Sequence, residues 1–461
     1  MEAPKVPPAM HAALLTSILV LSLVLAGCAD GNDGPTSTTT TSLEPSSPDR
    51  PSELAQPKVI PQVLVGSPGG GAEPNIAVAP DGTLYVASPL AIWKSSDAGK
   101  TWKQATAKGL EGGGDGDIAF DAQGNLYWLG LFGPDGRAIP FQVSTDGGES
   151  FSKAVDVSDG TGSDREWLDV TPEGHVYTTW RGESGLEFRA SFDGGATWQP
   201  KVTAAPDANQ GPLTHAPDGR LYFAAADFAG TTGTAEAALY VYASQDEGES
   251  WTRHDVWSLA RSSPAEHNPY VTDFPVAAVD ANGTVYVAWS MDMGVLPETP
   301  PSVAGQYGIF LSHSTTGGSN WSQPLLVSDP TKYARMPWMA AGGAGSVAVV
   351  WYENVRGLPG EQLPDEWNVK LWESITADAA KPVGITVTLT EEPNHLGALC
   401  TSGTGCLVSD RSLLDFFEVA IDHQGLPVVA WAASKLGTGF GFAVEGTDVY
   451  FGGIAEGTPL Q

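Results

Sequence analysis

Seven short apolar hairpins turn on Gly82, Gly124, Gly174, Gly219, Gly283, Gly345 and Gly425, and nine or ten positions before each glycine stands a polar residue. These residues are Glu73, Asp115, Asp164 with Arg165, Gln210, Asp273, Arg335 and Asp415. Carboxyl groups brought together in this way can act as general acids and bases. Arg165 and Arg335, with Arg411 nearby in sequence, are three of only 11 arginines, and a guanidinium is the side chain suited to holding a carboxylate with two parallel hydrogen bonds. The same positions also have a plainer use, because strand starts need capping and water-lined positions are polar on structural grounds alone.

The elements that must carry these residues are strands. Around each turn glycine apolar residues alternate with period two, as in Ala277-Ala278-Val279-Asp280-Ala281-Asn282-Gly283-Thr284-Val285-Tyr286-Val287-Ala288-Trp289. Tyr85, Tyr127, Tyr177, Tyr222 and Tyr286 each stand three residues after their glycine. A second repeat follows the hairpins. The pattern Ser-x-Asp-x-Gly-x-Thr/Ser-Trp/Phe occurs at Ser95–Trp102, Ser144–Phe151, Ser191–Trp198 and Ser244–Trp251, with a worn copy at Ser314–Trp321. Its residues make a tight turn: Asp97, Asp146, Asp193 and Asp246 accept backbone N–H bonds, Gly takes φ > 0, and the terminal aromatic folds under the turn to pack between sheets. These Asp residues are therefore read as structural. The octapeptide resembles the Asp-box, or bacterial neuraminidase, repeat of sialidases and other propeller families, and the resemblance covers most of residues 59–451.

A strand before and after each box completes four antiparallel strands per unit, one propeller blade. The expected fold is all-β, a seven-bladed β-propeller, with the six blades of sialidases as the alternative. The last unit runs out of chain after a hairpin at Phe417 to Ala433 and a strand near Asp448 to Ile454, so Val59 to Val65 is expected to supply its fourth strand and close the open edge. In such a blade the box turn and the glycine turn share one face. The long additions around 227–236, 253–272, 291–306, 354–368 and 391–411 then gather on the opposite face, where the polar strand starts also emerge.

The resemblance implies a site as well. Sialidase-like enzymes hold a substrate carboxylate with three arginines, use an Asp as acid/base and a Glu-activated Tyr as nucleophile. Carried over to this chain, Arg165, Arg335 and Arg411 stand for the triad, Asp115 or Asp117 for the acid/base, and Tyr352 for the nucleophile, with Glu353 or Asp273 beside it; Glu73, Asp164 and Asp415 line the substrate site. The family's Phe/Tyr-Arg-Ile/Leu-Pro signature is absent, and adjacent Tyr352 and Glu353 point to opposite faces of a regular strand. Trp180, Trp289, Trp351 and Trp431, six residues after their glycines, either stack on sugars or pack between blades.

The chain ends and the composition complete the reading. Lys5, the apolar stretch Ala12 to Leu25 and Leu25-Ala26-Gly27-Cys28 read as a secretory signal over residues 1–28 whose end resembles a lipobox, Cys28 being the lipidated residue. Residues 29–57, rich in Thr, Ser and Pro, behave as a tether of roughly 30 Å, and residues 58–461 form the propeller. Cys400 and Cys406 are spaced for a local disulfide. A net charge of −31 argues against nucleic acid as a partner and favours cationic, neutral or cation-bridged ligands. No metal motif or cofactor motif has usable spacing, so none of either is expected. The protein is thus expected as a monomer at the outer face of a cell membrane, held by its lipid anchor. There it is read as a sialidase-like, exo-acting glycoside hydrolase or, alternatively, as a non-catalytic glycan- or protein-binding propeller or an assembly factor, with a carbohydrate or envelope protein on its long-loop face.

Overall fold

The computed structural model describes residues 54–67, 73–89, 91–131, 137–162, 164–206, 209–226, 236–260, 273–293, 306–356, 366–397, 399, 412–434 and 447–461. Cys28, Cys400, Cys406 and Arg411, and most of the long additions, lie outside these residues. Of the additions, 253–260 belongs to an edge strand.

Strand β1 (Lys58–Gly66) opens the described chain. Next comes the sheet β2 (Asn75–Val78), β3 (Leu84–Ser88), β4 (Ala91–Ser95), β5 (Lys103–Gln104), then the sheet β6 (Gly113–Phe120), β7 (Leu126–Leu131), β8 (Pro140–Ser144), β9 (Val155–Asp156). A third sheet holds β10 (Asp164–Val170), β11 (Val176–Arg181), β12 (Leu186–Ser191) and β13 (Val202–Ala205). A fourth holds β14 (Asn209–His215), β15 (Leu221–Ala226), β16 (Glu236–Ser244) and β17 (Thr252–Ala260), and a fifth β18 (Val276–Val279), β19 (Val285–Asp292), β20 (Tyr307–Ser314) and β21 (Leu325–Leu326). Each is four-stranded and antiparallel with its strands in chain order. The sixth sheet has nine strands: β22 (Ala334–Ala341), β23 (Val347–Asn354), β24 (Glu366–Ser374) and β25 (Gly384–Thr388) form one antiparallel run, and β27 (Glu418–Ile421), β28 (Pro427–Ser434), β29 (Thr447–Glu456) and β1 another. The two-residue strand β26 (His395–Leu396) joins them by pairing with β24 and β28.

The pairing of β1 with β29 places Val59 opposite Ile454 and Leu64 opposite Tyr450, so the start of the described chain supplies the outer strand of its last unit. First strands follow one another around a circle: β2 lies beside β6, β6 beside β10, then β14, β18, β22 and β27, and β27 returns to β2. This is the arrangement of a β-propeller, with the sheets standing around a central channel.

Two devices repeated in the sequence build it. In the first, Asp121 and Asp280 each accept amide bonds across the glycine turn and also take the tyrosine hydroxyl, Tyr127 to Asp121 at 2.9 Å and Tyr286 to Asp280 at 2.9 Å. In the second, the octapeptide, Ser95 Oγ donates to Asp97 Oδ1 and accepts from Gly99 N, while Thr101 donates both its amide and its hydroxyl to Asp97. Asp146, Asp193 and Asp246 repeat this network, and in the worn copy the Thr316 hydroxyl accepts the Asn320 amide instead. Hydrogen bonds from Thr101 hold the Asp97 carboxylate down at about 2. The octapeptide aromatics then pack edge-on against third strands of the neighbouring unit: Trp102 on Phe451 at 5.2 Å, Trp198 on Phe141 at 4.9 Å and Trp251 on Phe188 at 5.3 Å.

Candidate functional site at the channel mouth

Inner strands do not pair with one another, so each would present unmatched amides to the channel. Side chains of neighbouring strands accept them. Glu418 takes the Ile76 amide at 3.0 Å, Asn75 the Ile118 amide at 3.1 Å and Asp117 the Leu168 amide at 2.8 Å. Glu73 takes the Asp415 amide at 3.1 Å and Asp273 the Met336 amide at 2.8 Å. Part of the polar ring is therefore a set of latches between strands.

The starts of these strands are irregular in a repeated way. Pairing slips between Gly113 and Asp117, Asp164 and Trp167, Gln210 and Leu213, and Arg335 and Trp338. Gly114, Arg165, Met336 and Leu414 take positive φ at these places or beside the last strand start. Each bulge re-aims the residues around it. One result is an aromatic floor across the channel, where Trp167, Phe274, Trp338 and Phe416 meet with ring centroids 5.1–6.5 Å apart, all four buried.

Above the floor stands Arg165, in the left-handed region at φ 61 and with its guanidinium 4.6 Å over the Phe274 ring. For a non-glycine residue that backbone costs about 1–3 kcal/mol, so the surroundings must hold it. They do so with carboxylates: Asp415 at 2.9 Å, Asp164 at 3.4 Å and Asp115 at 3.7 Å, the last too long for a hydrogen bond. Burial works against the charge of Arg165, but Asp415, Asp115 and Asp164 outweigh it and the guanidinium is held firmly ionised. Burial and the charges of Asp115 and Asp415 push Glu73 well above the ordinary carboxyl range, with a hydrogen bond to Asp115 adding to the rise. Asp115 is itself raised by burial, against the pull of Arg165 and of the Glu73 hydrogen bond. Asp115 Oδ2 and both carboxyl oxygens of the fully buried Glu166 have no hydrogen-bond partner among the described residues. Gln210 donates to the Arg165 carbonyl at 3.1 Å.

Arg335 sits at the other side of the ring in a closed arrangement. Its Nε and Nη2 grip Asp273 at 2.9 and 3.0 Å, its Nη1 donates to the Tyr333 hydroxyl at 2.8 Å, and Ser290 also donates to Asp273. Below the floor, on the turn face, a cavity of about 260 Å³ is lined by Asp117, Glu418 and Trp338 among others. Burial raises Asp117 to about 7 and Glu418 well above its ordinary value.

The structure thus gathers Glu73, Asp115, Asp164, Arg165 and Asp415 at one mouth and sets Asp273 with Arg335 in a separate ion pair. Asp117 falls below the floor, a latch and not a mouth residue. Tyr352 also stays away from the mouth: its ring is fully buried against Phe417, its hydroxyl donates to the Ala432 carbonyl at 3.3 Å, and burial raises its pKa. Glu353 points to the other face of β23, where it accepts from Trp351 Nε1 and meets Lys370 Nζ at 3.4 Å. The strand's period of two separates the Tyr–Glu pair, so this pair does not form an activated nucleophile. Trp180, Trp289, Trp351 and Trp431 are all buried and serve as packing. Sequence reasoning missed Glu166 and the floor. Trp167, Phe274, Trp338 and Phe416 each lie one to three residues after a polar strand start, a signal visible only once the bulges are known.

No protein-family model matches the chain, and no curated protein matches it. Among solved structures it is similar to a PL25 ulvan lyase with bound oligosaccharide, at 13% identity and a TM-score of 0.48 over 84% of this chain and 95% of that one. It is similar to YCF48 bound to D1 peptide, at 11% identity and 0.47 over 88% and 100%. A Hadza microbial sialidase, Hz136, gives 14% identity and 0.41 over 83% and 65%. At such identities no site residue is carried across from these proteins.

Proposed function

We propose that the protein is a seven-bladed propeller of the Asp-box kind that binds glycans at the mouth around Arg165, displayed outside the cell on a lipidated Cys28 and the 29–57 tether. The two antiparallel runs of the nine-stranded sheet, taken as separate blades with the other five sheets, support the count of seven. The observation that carries the functional reading is the mouth itself. Asp164, Asp115 and Arg165, with side chains 36%, 12% and 16% exposed, lie together beside the aromatic floor, and Asp115 Oδ2 and Arg165 Nε have no hydrogen-bond partner among the described residues. Carboxylates and a guanidinium are groups that bridge neighbouring hydroxyls of a sugar, and the floor stops the ligand at the entrance.

Binding is favoured over hydrolysis of the sialidase type, because Arg165 and Arg335 are both engaged by carboxylates of the chain itself. A hydrolytic reading finds its support in Glu73, a carboxyl raised well above its ordinary range by burial and by neighbouring acids, beside Asp115.

Full-length protein titrated with a panel of neutral, amino and acidic oligosaccharides tests this. Saturable binding is expected for one class, weakened at least ten-fold by Asp115→Asn in protein whose circular dichroism shows it still folded, and no release of fluorophore from sialosides. Absence of binding across the panel overturns the glycan reading. Sialoside turnover that disappears in Asp115→Asn moves the conclusion to hydrolysis.

A further inference from the structure

We propose that the cavity below the floor, on the turn face, is a second binding site, separate from the mouth, and that it takes a small primary ammonium ion. The cavity, of about 260 Å³, is formed by six of the seven first strands, β6, β10, β14, β18, β22 and β27. Trp338 of the floor is part of its lining, Leu168, Leu213 and Val419 are among its walls, and Asp117 and Glu418 are its charged residues. Asp117 is 5% exposed; its Oδ2 takes the Leu168 amide at 2.8 Å, and no side chain among the described residues donates to it. Glu418 gives Oε2 to the Ile76 amide and accepts a hydrogen bond from Trp338. No Lys or Arg lines the cavity.

The charges that reach these two acids are those of other acids. Burial lifts Asp117 to about 7, with Asp169 of β10 adding to the rise, and burial together with Asp117 lifts Glu418 well above its ordinary range. Glu166, also on β10, is raised in part by Asp117. His215 of β14 meets Asp169 at 2.7 Å and is raised by its charge, Asn75 of β2 is uncharged, and β18 and β22 bring no titratable side chain to the cavity. A cation offsets acids that have no counter-ion, whereas an anion finds no basic residue here and a neutral hydroxyl leaves the charges unpaired. No group of three Asp, Glu, His or Cys among the described residues converges tightly enough for a metal ion. With a water molecule taking roughly 30 Å³, the cavity has room for several heavy atoms. A primary ammonium brings three N–H donors to the carboxyl groups, and a short alkyl chain fits beside the aliphatic walls.

The test is a titration of the full-length protein in low salt with n-butylammonium and with butan-1-ol, followed by ligand-observed NMR at pH 6 and pH 8. Butylammonium is expected to bind saturably, and butan-1-ol at least ten-fold more weakly. A group near 7 is about one-tenth ionised at pH 6 and about nine-tenths at pH 8, so butylammonium affinity should rise about ten-fold between the two. Asp117→Asn, which keeps an acceptor for the Leu168 amide, should remove most of the affinity and flatten its pH dependence. A rise that persists in this variant would belong to His215 and overturn the assignment. Ala340→Leu, which fills the cavity without changing charge, should abolish binding. Binding that survives it would mean diffuse attraction to a chain of net charge −31 and would also overturn the proposal. Equal binding of butan-1-ol, or displacement of butylammonium by equimolar potassium, overturns the choice of ligand. No saturable binding at either pH removes the site altogether and leaves the glycan reading of the mouth standing.

Discussion

Arg165 and Arg335 begin inner strands of the same architecture, and the two end in opposite conditions. Arg335 precedes the left-handed residue of its bulge, Met336, and so turns inward to be gripped by Asp273 between Tyr307 and Tyr333. Arg165 is itself the left-handed residue and faces three carboxylates, Asp415 at 2.9 Å, Asp164 at 3.4 Å and Asp115 at 3.7 Å. A shift of one position within a bulge therefore separates a cation locked to one acid from a cation shared among three. Buried charge in a propeller channel is no indication of function until its partners have been counted.

The contrast can be broken most forcefully at the lock. Asp273→Asn strips a buried guanidinium of its counter-charge and is expected to cost about 3–5 kcal/mol in chemical denaturation. If it cost no more than a surface change, Arg335 would have to be reassigned as an open residue. Arg165→Met should cost less, about 1–3 kcal/mol, since Asp115 and Asp415 can take up protons when the cation is lost. A greater loss than that of Asp273→Asn would reverse the comparison.

Glu73 sharpens it through pH. Its folded carboxyl is raised above the ordinary value of 4.5, so the folded state holds the proton more tightly than the unfolded chain and stability must fall as pH rises above that value. Glu73→Gln keeps the neutral form, and urea midpoints measured from pH 4.5 to 8 should decline less in the variant than in the parent. Parallel declines would show that Glu73 is ionised. Tyr333→Phe removes one hydrogen bond from Arg335 and is expected to cost about 1 kcal/mol. At the small end, Asp164→Asn should change stability by less than about 0.5 kcal/mol, because Asp164 is the most exposed of the mouth acids. A large loss there would make the mouth structural too.

Much of this architecture was legible in the chain. Glycine turns with a tyrosine three residues on, and an Asp whose side chain closes the octapeptide turn, are local chemistry, and local chemistry is read from neighbours in sequence. The polar strand starts were legible for the same reason, as a fixed distance from a turn. Their roles were not. Asp117 and Asp115 are two residues apart, yet one latches a strand below the floor and the other faces the mouth, because the bulge between Gly113 and Asp117 changes which way each points. Tyr352 and Glu353 looked adjacent and are separated by the pleat.

By itself, then, the sequence determined the all-β repeat, the turns and the set of charges delivered to the channel, since each depends on interactions within a few residues. Only the tertiary structure decided which charges neutralise one another, which ring seals the channel and which acceptors remain unfilled. Those outcomes depend on partners from different sheets, such as Asp273 with Arg335 and Asp415 with Arg165, 62 and 250 residues apart along the chain, and on bulges that rotate side chains by one position without leaving a mark in the pattern of residue types.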